Sequence, residues 1–177
     1  YSAVDGLTNQ WHRVHYPALA RGGAGLVIVE ATAVSPEGRI TQGCTGLWAD
    51  SQIDGMARIA ADITAEGAVP GIQLGHARRK GSANRPWEGD DHIPSGETGG
   101  WETISPSAIA LGGNLPKVPR AMTIADIERV KGDFVAAAQR ALKAGFEWLE
   151  LHFAHGYLGQ SFFSVHANQR ADQYGRD

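Results

Sequence analysis

The stretch GAGLVIVEATAV, residues 23–34, decides the fold. After its glycines comes a continuous run of apolar, mostly β-branched residues, which is typical of a buried strand in a parallel sheet. Apolar residues recur at helical spacing before this run, at residues 8–22, and after it, at residues 51–66. The sequence therefore predicts a strand between two helices.

The first predicted helix, residues 8–22, begins at Thr8 as its cap and carries Pro17, which should kink or interrupt it. Its predicted apolar face consists of Trp11, Val14, His15, Ala18 and Leu19. The second helix, residues 51–66, ends at Gly67. Its predicted core face consists of Ile53, Met56, Ile59, Ala60 and Ile63.

Two more strands and a third helix complete the pattern. VPGIQLGHA (69–77) and EWLELHF (147–153) are predicted strands. Between them, Thr123 and Asp126 form a predicted capping box for a helix that runs to about Ala144 and stops at Gly145. Its predicted apolar stripe is Ile127, Val130, Phe134, Ala138, Ala141 and Leu142.

Alternating helices and buried strands indicate an α/β protein with a parallel sheet. No Gly-x-Gly-x-x-Gly follows a strand, so the dinucleotide fingerprint of a doubly wound sheet is missing. Polar residues instead collect near the carboxyl ends of successive strands, where a (β/α)₈ TIM barrel places its chemistry. They are Glu30, Gln73, His76, His152 and His155. The barrel is the favoured fold.

The length indicates a partial barrel. A complete one needs about 250 residues, and this chain has 177. We predict one partial domain over residues 1–177, with about strands 2–4 and their helices, and without the first strand and the C-terminal half. The long βα loop at 78–122 is predicted to lie over the barrel mouth as a lid.

Composition excludes several classes of protein. The net charge of −3 gives no reason to expect nucleic acid or an anionic membrane as a partner. No apolar run is long enough to span a membrane, and no signal peptide is visible. The single cysteine, Cys44, excludes an internal disulfide and fits a reducing compartment, which favours a cytoplasmic location.

The segment LELHFAHGYL, residues 149–158, ends a strand and gathers His152, His155 and Tyr157. Local sequence alone leaves three interpretations open. The histidines could be ordinary core or rim residues. They could join His76 and Glu30 as zinc ligands of a metal-dependent hydrolase. They could also be hydrogen-bond donors of an active site that holds no metal.

A series of motifs resembles the old yellow enzyme family of FMN-dependent ene-reductases, especially its xenobiotic reductase and NADPH dehydrogenase branch. The motifs are GLVIVEATAVSPEGRI, GIQLGHARRK, GSANRPWEGDD, GGWET, PSAIA and ELHFAHGYLGQSFFS, in that order. The resemblance implies a (β/α)₈ barrel about twice as long as this chain. It also implies FMN as the cofactor, NADPH as the reductant with NADH as an alternative, and a homo-oligomeric full-length protein.

The resemblance assigns roles to single residues. Ala31 falls where the family backbone touches the flavin, and Gln73 where a glutamine bonds the polar edge of the isoalloxazine. His152 and His155 match the pair that binds a substrate oxygen, and Tyr157 matches the proton donor. Tyr1 matches a tyrosine of the substrate pocket. The implied substrates are small molecules such as enones and nitro compounds, and the implied reaction reduces an activated C=C bond.

Two departures and one alternative accompany this resemblance. The family cysteine that tunes the flavin has no equivalent in this chain, and Cys44 does not replace it. Arg78 stands where the family usually has glycine in HAGRK, which leaves the backbone conformation there open. The alternative function is a non-catalytic half barrel that is stable only with the missing half, because an open strand edge invites association.

Overall fold

The computed structural model describes residues 1–175, and its largest sheet has three parallel strands. The helices are α1 Gln10–Arg21, α2 Ile53–Ala65, α3 Ile124–Lys143 and α4 Leu158–Phe163. The strands are β1 Leu26–Ala33, β2 Val69–Gly75, β3 Ile104–Ser105, β4 Arg120–Ala121 and β5 Trp148–Leu151. The predicted order of helices and strands is confirmed.

The large sheet has the order β1-β2-β5, and a helix connects each strand to the next, as in a βα barrel. Strand β5 lies at the edge of this sheet and ends at Leu151, two residues before the predicted end. Trp148, Leu149 and Leu151 are 51%, 43% and 47% exposed. The sheet therefore has an open, apolar edge, as the partial-barrel prediction requires.

One apolar core lies between the sheet and the helices α1, α2 and α3. The predicted core face of α2 is confirmed for all its residues, and Gly67 follows the helix with a left-handed φ of 87°. The predicted capping box of α3 is also confirmed at Thr123 and Asp126. Leu142 was wrongly placed in its apolar stripe and is 76% exposed, whereas Ala137 is fully buried.

The predictions for α1 need correction. Its cap is Asn9 rather than Thr8, and Asn9 Oδ1 accepts a hydrogen bond from the Trp11 amide. The helix continues through Pro17 without a break. The predicted apolar face is also wrong: Trp11, Val14 and Leu19 are exposed. The residues that α1 buries are His12, Tyr16, Pro17 and Ala20. On the buried face of α1, the rings of Tyr16 and Pro17 thus stand where Val14 and Leu19 were predicted.

The loop 78–122 is ordered rather than structureless. It contains β3 and β4, which pair in parallel, and two short 3₁₀ turns. Arg79 Nη1 donates to the carbonyls of Ile109 and Ala110, each at 2.8 Å, and fixes the middle of the loop to its start. Its role as a lid stays a prediction. Within residues 1–175, no helix is both long and apolar enough to span a membrane.

Candidate active site

A tight turn follows β5 and reverses the chain between His152 and Tyr157. His155 and Gly156 both have left-handed backbone, with φ of 53° and 75°. Histidine enters this region more readily than most residues, and glycine enters it freely. The Tyr157 amide donates to the Ala154 carbonyl at 3.0 Å and closes the turn. Helix α4 begins at the next residue, so the turn has fixed elements on both sides.

The turn brings together the three side chains that the sequence singled out. The ring centroids of His152 and His155 are 5.3 Å apart, and those of His152 and Tyr157 are 4.4 Å apart. Both pairs are arranged edge to face. Each ring carries a polar hydrogen, so the cluster can present several hydrogen-bond donors to one ligand.

Electrostatics favour the neutral forms of His152 and Tyr157. Burial, followed by the neighbouring His155, lowers the pKa of His152, while Glu150 opposes this shift and Lys80 adds a smaller lowering. Burial, followed by Tyr1 and Cys44, raises the pKa of Tyr157 to about 12. Tyr157 therefore retains its proton until a strong base takes it.

A β-bulge in β1 places the two residues that were predicted to contact flavin. Val29 pairs with Ile72 and Thr32 with Leu74, so two residues of β1, Glu30 and Ala31, lie opposite Gln73 alone. The Gln73 amide nitrogen in turn donates to Glu150 of β5. Bulges are common beside active sites because they redirect the chain locally. No glycine marks this bulge, so the sequence gives no signal for it.

Ala31, His152 and Tyr157 line one cleft, together with Cys44 and Arg39. The cleft has a volume of about 10 Å³, so a flavin ring does not fit inside it. Half of the six predicted site residues, Gln73, Tyr1 and His155, lie outside its lining.

Tyr1 lies on the side of the cluster that faces the long loop. Its ring packs edge to face on Trp87, with the centroids 5.9 Å apart. Its carbonyl accepts a hydrogen bond from Arg85 Nε at 2.9 Å. Burial, and then Cys44, raises the pKa of Tyr1. Tyr1 therefore lies near Cys44, a residue of the cleft lining, and its role in a substrate pocket stays a prediction.

The zinc alternative finds no ligand set. Within residues 1–175, no group of three or more His, Cys, Asp or Glu side chains is arranged to hold a metal ion. His76 is fully buried, and its Nδ1 accepts the Arg78 amide at 3.1 Å. Glu30 instead accepts a hydrogen bond from the Tyr16 hydroxyl at 3.0 Å. Nδ1 of His76 and the Glu30 carboxylate are thus engaged by other parts of the chain.

Two basic residues beside the cluster were missed. The Lys80 ammonium lies 5.5 Å from the ring centroid of Tyr157, a cation–π distance. Arg78 reaches the same turn and donates from Nη1 to the Gly156 carbonyl at 2.9 Å. The run HARRK was visible in the sequence, but nothing there showed that it contacts residues almost eighty positions later.

Comparison with known proteins decides the family. The model of the NADH:flavin oxidoreductase / NADH oxidase family matches residues 2–177. The chain belongs to this family. An NADH:flavin oxidoreductase from Gibberella zeae is 46% identical over 177 residues, which cover 99% of this chain and 43% of that protein. An NADPH dehydrogenase from Geobacillus thermodenitrificans is 43% identical, with coverage of 97% and 45%.

Solved structures agree with the sequence relatives. The old yellow enzyme homologue from Zymomonas mobilis has a TM-score of 0.84 at 30% identity and covers 99% of this chain and 48% of its own. Morphinone reductase in complex with tetrahydroNAD has a TM-score of 0.83 at 29% identity, with coverage of 99% and 49%. This chain is therefore a partial (β/α)₈ barrel of the old yellow enzyme type. It spans about half the length of the relatives it matches.

The family implies FMN as cofactor and NAD(P)H as reductant, and the residues present fit a flavin. Gln73 offers both a donor and an acceptor, as the mixed polar edge of an isoalloxazine requires. Ala31 carries only a methyl group, lies at the bulge of β1 and lines the cleft. Ala31 and Gln73 lie on the neighbouring strands β1 and β2. The histidine pair is attached to β2 as well, because the His152 amide donates to the Leu74 carbonyl at 2.8 Å.

Proposed function

We propose that the full-length protein carrying this chain is an FMN-dependent NAD(P)H oxidoreductase that reduces the activated C=C bond of enones and related xenobiotics. One observation supports the proposal above the others. The turn after β5 brings the rings of His152, His155 and Tyr157 together, with centroids 4.4 and 5.3 Å from His152. This cluster combines donors for an oxyanion with a proton donor.

In the proposed reaction, His152 and His155 bind the carbonyl oxygen of the substrate. FMN, once bound and reduced by NAD(P)H, would supply a hydride for the β-carbon of the alkene. As negative charge develops on the oxygen, the two imidazole N–H groups stabilise it and so lower the activation free energy of the reduction. Because burial lowers the pKa of His152, its ring is neutral at neutral pH and acts as a hydrogen-bond donor rather than as an acid.

Tyr157 completes the reduction by protonating the α-carbon. Its raised pKa of about 12 means that it holds its proton until the basic carbon forms. Transfer breaks the O–H bond, forms the C–H bond and leaves a phenolate. The Lys80 ammonium, 5.5 Å from the ring, favours that negative charge until solvent returns the proton.

The proposal also covers the substrate size, the oligomeric state and the location of the full-length protein. The substrates are small molecules, the full-length protein is a homo-oligomer, and it acts in the cytoplasm. Exposed Trp11, Val14 and Leu19 on α1 support association, because they form an apolar face on an outer helix. The NADPH dehydrogenases among the relatives support the choice of reductant.

Product analysis tests the proposal. Full-length protein, FMN, NADPH and 2-cyclohexenone are incubated without oxygen, and the product is separated by gas chromatography. The proposal predicts cyclohexanone in an amount equal to the NADPH oxidised. NADPH oxidation that requires oxygen and yields no saturated ketone would refute it.

A further inference from the structure

Arg78 is the largest of the fully buried side chains, and it lies next to the candidate site. It follows β2 and begins the short 3₁₀ turn Arg78–Lys80. Its φ is 59°, which is the left-handed region that favours glycine. The chain thus keeps at this position the backbone conformation of a glycine while it carries the longest cationic side chain.

Arg78 joins three separate parts of the chain. From its guanidinium, Nη1 donates to the Gly156 carbonyl at 2.9 Å, and Nε donates to Ser105 Oγ at 2.9 Å. Its backbone amide donates to Nδ1 of His76 at 3.1 Å, at the end of β2. One residue therefore links the strand end, the long loop and the turn of the candidate site.

Among these contacts, the hydrogen bond to the Gly156 carbonyl is the one that acts on the turn of the candidate active site. Gly156 separates His155 from Tyr157, and both His155 and Gly156 are left-handed. A rotation of this peptide would move the imidazole and the phenol relative to each other. The partly buried, charge-assisted hydrogen bond to the Gly156 carbonyl opposes that rotation, because breaking it leaves the buried guanidinium without this acceptor.

The planar, forked geometry of the Arg78 guanidinium is suited to holding the Gly156 peptide in place. Guanidinium nitrogens donate in fixed directions, so a bond from Nε to Ser105 also fixes the direction of Nη1. Lysine has one flexible ammonium group and cannot reproduce two donors at this spacing. Within residues 1–175, the buried Nη2 of Arg78 has no hydrogen-bond partner, so the two donors named here carry the interaction.

We propose that Arg78 is a positioning residue, which holds the turn of His155 and Tyr157 in place through the Gly156 carbonyl and couples it to the long loop through Ser105. The effect of Arg78 on the reaction rate rests on the proposed function. The positioning of the turn itself is a property of the chain and has its own readout.

The test uses the full-length protein with bound FMN and the variants Arg78→Gly, Arg78→Lys and Ser105→Ala. Stopped-flow absorbance follows the reduction of flavin by NADPH and then its reoxidation by 2-cyclohexenone. Arg78→Gly should slow reoxidation about 10- to 100-fold and leave flavin reduction within about threefold, because misplaced groups harm the step they take part in. Arg78→Lys should show the same split to a smaller extent, and Ser105→Ala a still smaller one.

Asp5→Gly is the matched control. Asp5 is exposed, has a left-handed φ of 50° and lies in the turn before α1. Its replacement relieves a similar backbone strain without touching the site. We expect both half-reactions of Asp5→Gly to equal those of the unaltered protein.

Amide hydrogen exchange separates this proposal from the proposed function. Peptides that cover residues 152–158 should exchange at least about tenfold faster in Arg78→Gly than in Asp5→Gly. A protein that reduces no enone but shows this faster exchange would refute the proposed function and support the positioning role. Unchanged exchange and unchanged reoxidation in Arg78→Gly would overturn the role of Arg78. If that variant does not fold, Arg78→Lys decides: unchanged values there overturn it equally.

Discussion

The ring centroids of His152 and Tyr157 lie 4.4 Å apart, with the ring planes at 73°. Because the turn between them contains two left-handed residues, the histidine at the strand end and the tyrosine before α4 meet over a short distance in sequence. A group bound by one ring is therefore within reach of the other.

Replacement of either histidine should weaken ligands that carry an oxyanion. His152→Ala or His155→Ala in the full-length protein removes one N–H donor, which is worth about 1–3 kcal/mol when the acceptor is charged. We expect the Kd of 4-nitrophenol, measured from its perturbation of the flavin spectrum, to rise about tenfold. His166→Ala, at an exposed histidine of the chain, is the control and should bind normally. Equal affinity in all variants would argue against the oxyanion pair.

Gln73 should contribute to flavin retention. Gln73→Ala removes the amide that lies opposite the bulge of β1 and beside Glu150. We expect the Kd for FMN, measured by flavin fluorescence, to rise about 5- to 20-fold, as one or two hydrogen bonds would give. Gln139→Ala, at an exposed glutamine of α3, should leave FMN binding unchanged. If the two variants bind FMN equally, Gln73 does not hold the ring.

His76 should make the fold sensitive to moderate acid. Burial, opposed by Glu37, lowers the pKa of His76 to about 4. In the unfolded chain this pKa is about 6.5, so the unfolded state takes up the proton first, and stability falls as the pH drops from about 6.5 to about 4. His76→Gln retains an acceptor for the Arg78 amide but cannot titrate. Urea unfolding at several pH values should show a smaller loss of stability in this variant. An equal loss in both proteins would refute the prediction.

The capping residue Asp126 of α3 should also make the protein less stable in acid, although it is an acid and His76 is a base. Asp126 accepts hydrogen bonds from the Thr123 amide and from Arg120, and the latter is the main cause that lowers its pKa. Its contribution is fully present above the unfolded pKa of about 3.9 and is lost progressively as the pH falls from there through the lowered pKa of the folded state. Because Arg120 is largely exposed, Asp126→Asn should cost only about 1 kcal/mol at neutral pH, measured by urea unfolding.

The same measurement at low pH serves as the control for Asp126. As the pH falls below about 3.9, the difference between the two proteins should shrink progressively, because the unfolded carboxylate takes up its proton before the folded one does. A difference that persists unchanged in acid would show that packing rather than charge is responsible.

The periodic parts of this fold could be predicted from the sequence, and the reason is burial. In α2, Ile53, Met56, Ile59 and Ile63 recur at helical spacing and all face the core. In α1, the exposed Trp11 and Val14 gave a false apolar face, whereas Tyr16 and Pro17 are buried. Pattern alone could not separate a core face from an apolar surface face, because both are apolar.

The candidate site was predictable only in part. The cluster of His152, His155 and Tyr157 is local in sequence, so its proximity followed from the strand end. The contact of Arg78 with Gly156 joins distant segments, and the bulge opposite Gln73 depends on strand register. Neither leaves a signal in residue spacing, so both required the structure.

The half-reactions of Tyr157→Phe test the central claim most directly. The substitution removes the phenolic proton and retains the ring that packs against His152. In the full-length protein, reduction of flavin by NADPH should proceed within about twofold of the unaltered rate, while reoxidation by 2-cyclohexenone should slow about 10²- to 10⁴-fold, which is the usual contribution of a general acid. Equal slowing of both half-reactions, or none in either, would contradict the assignment of Tyr157 as the proton donor.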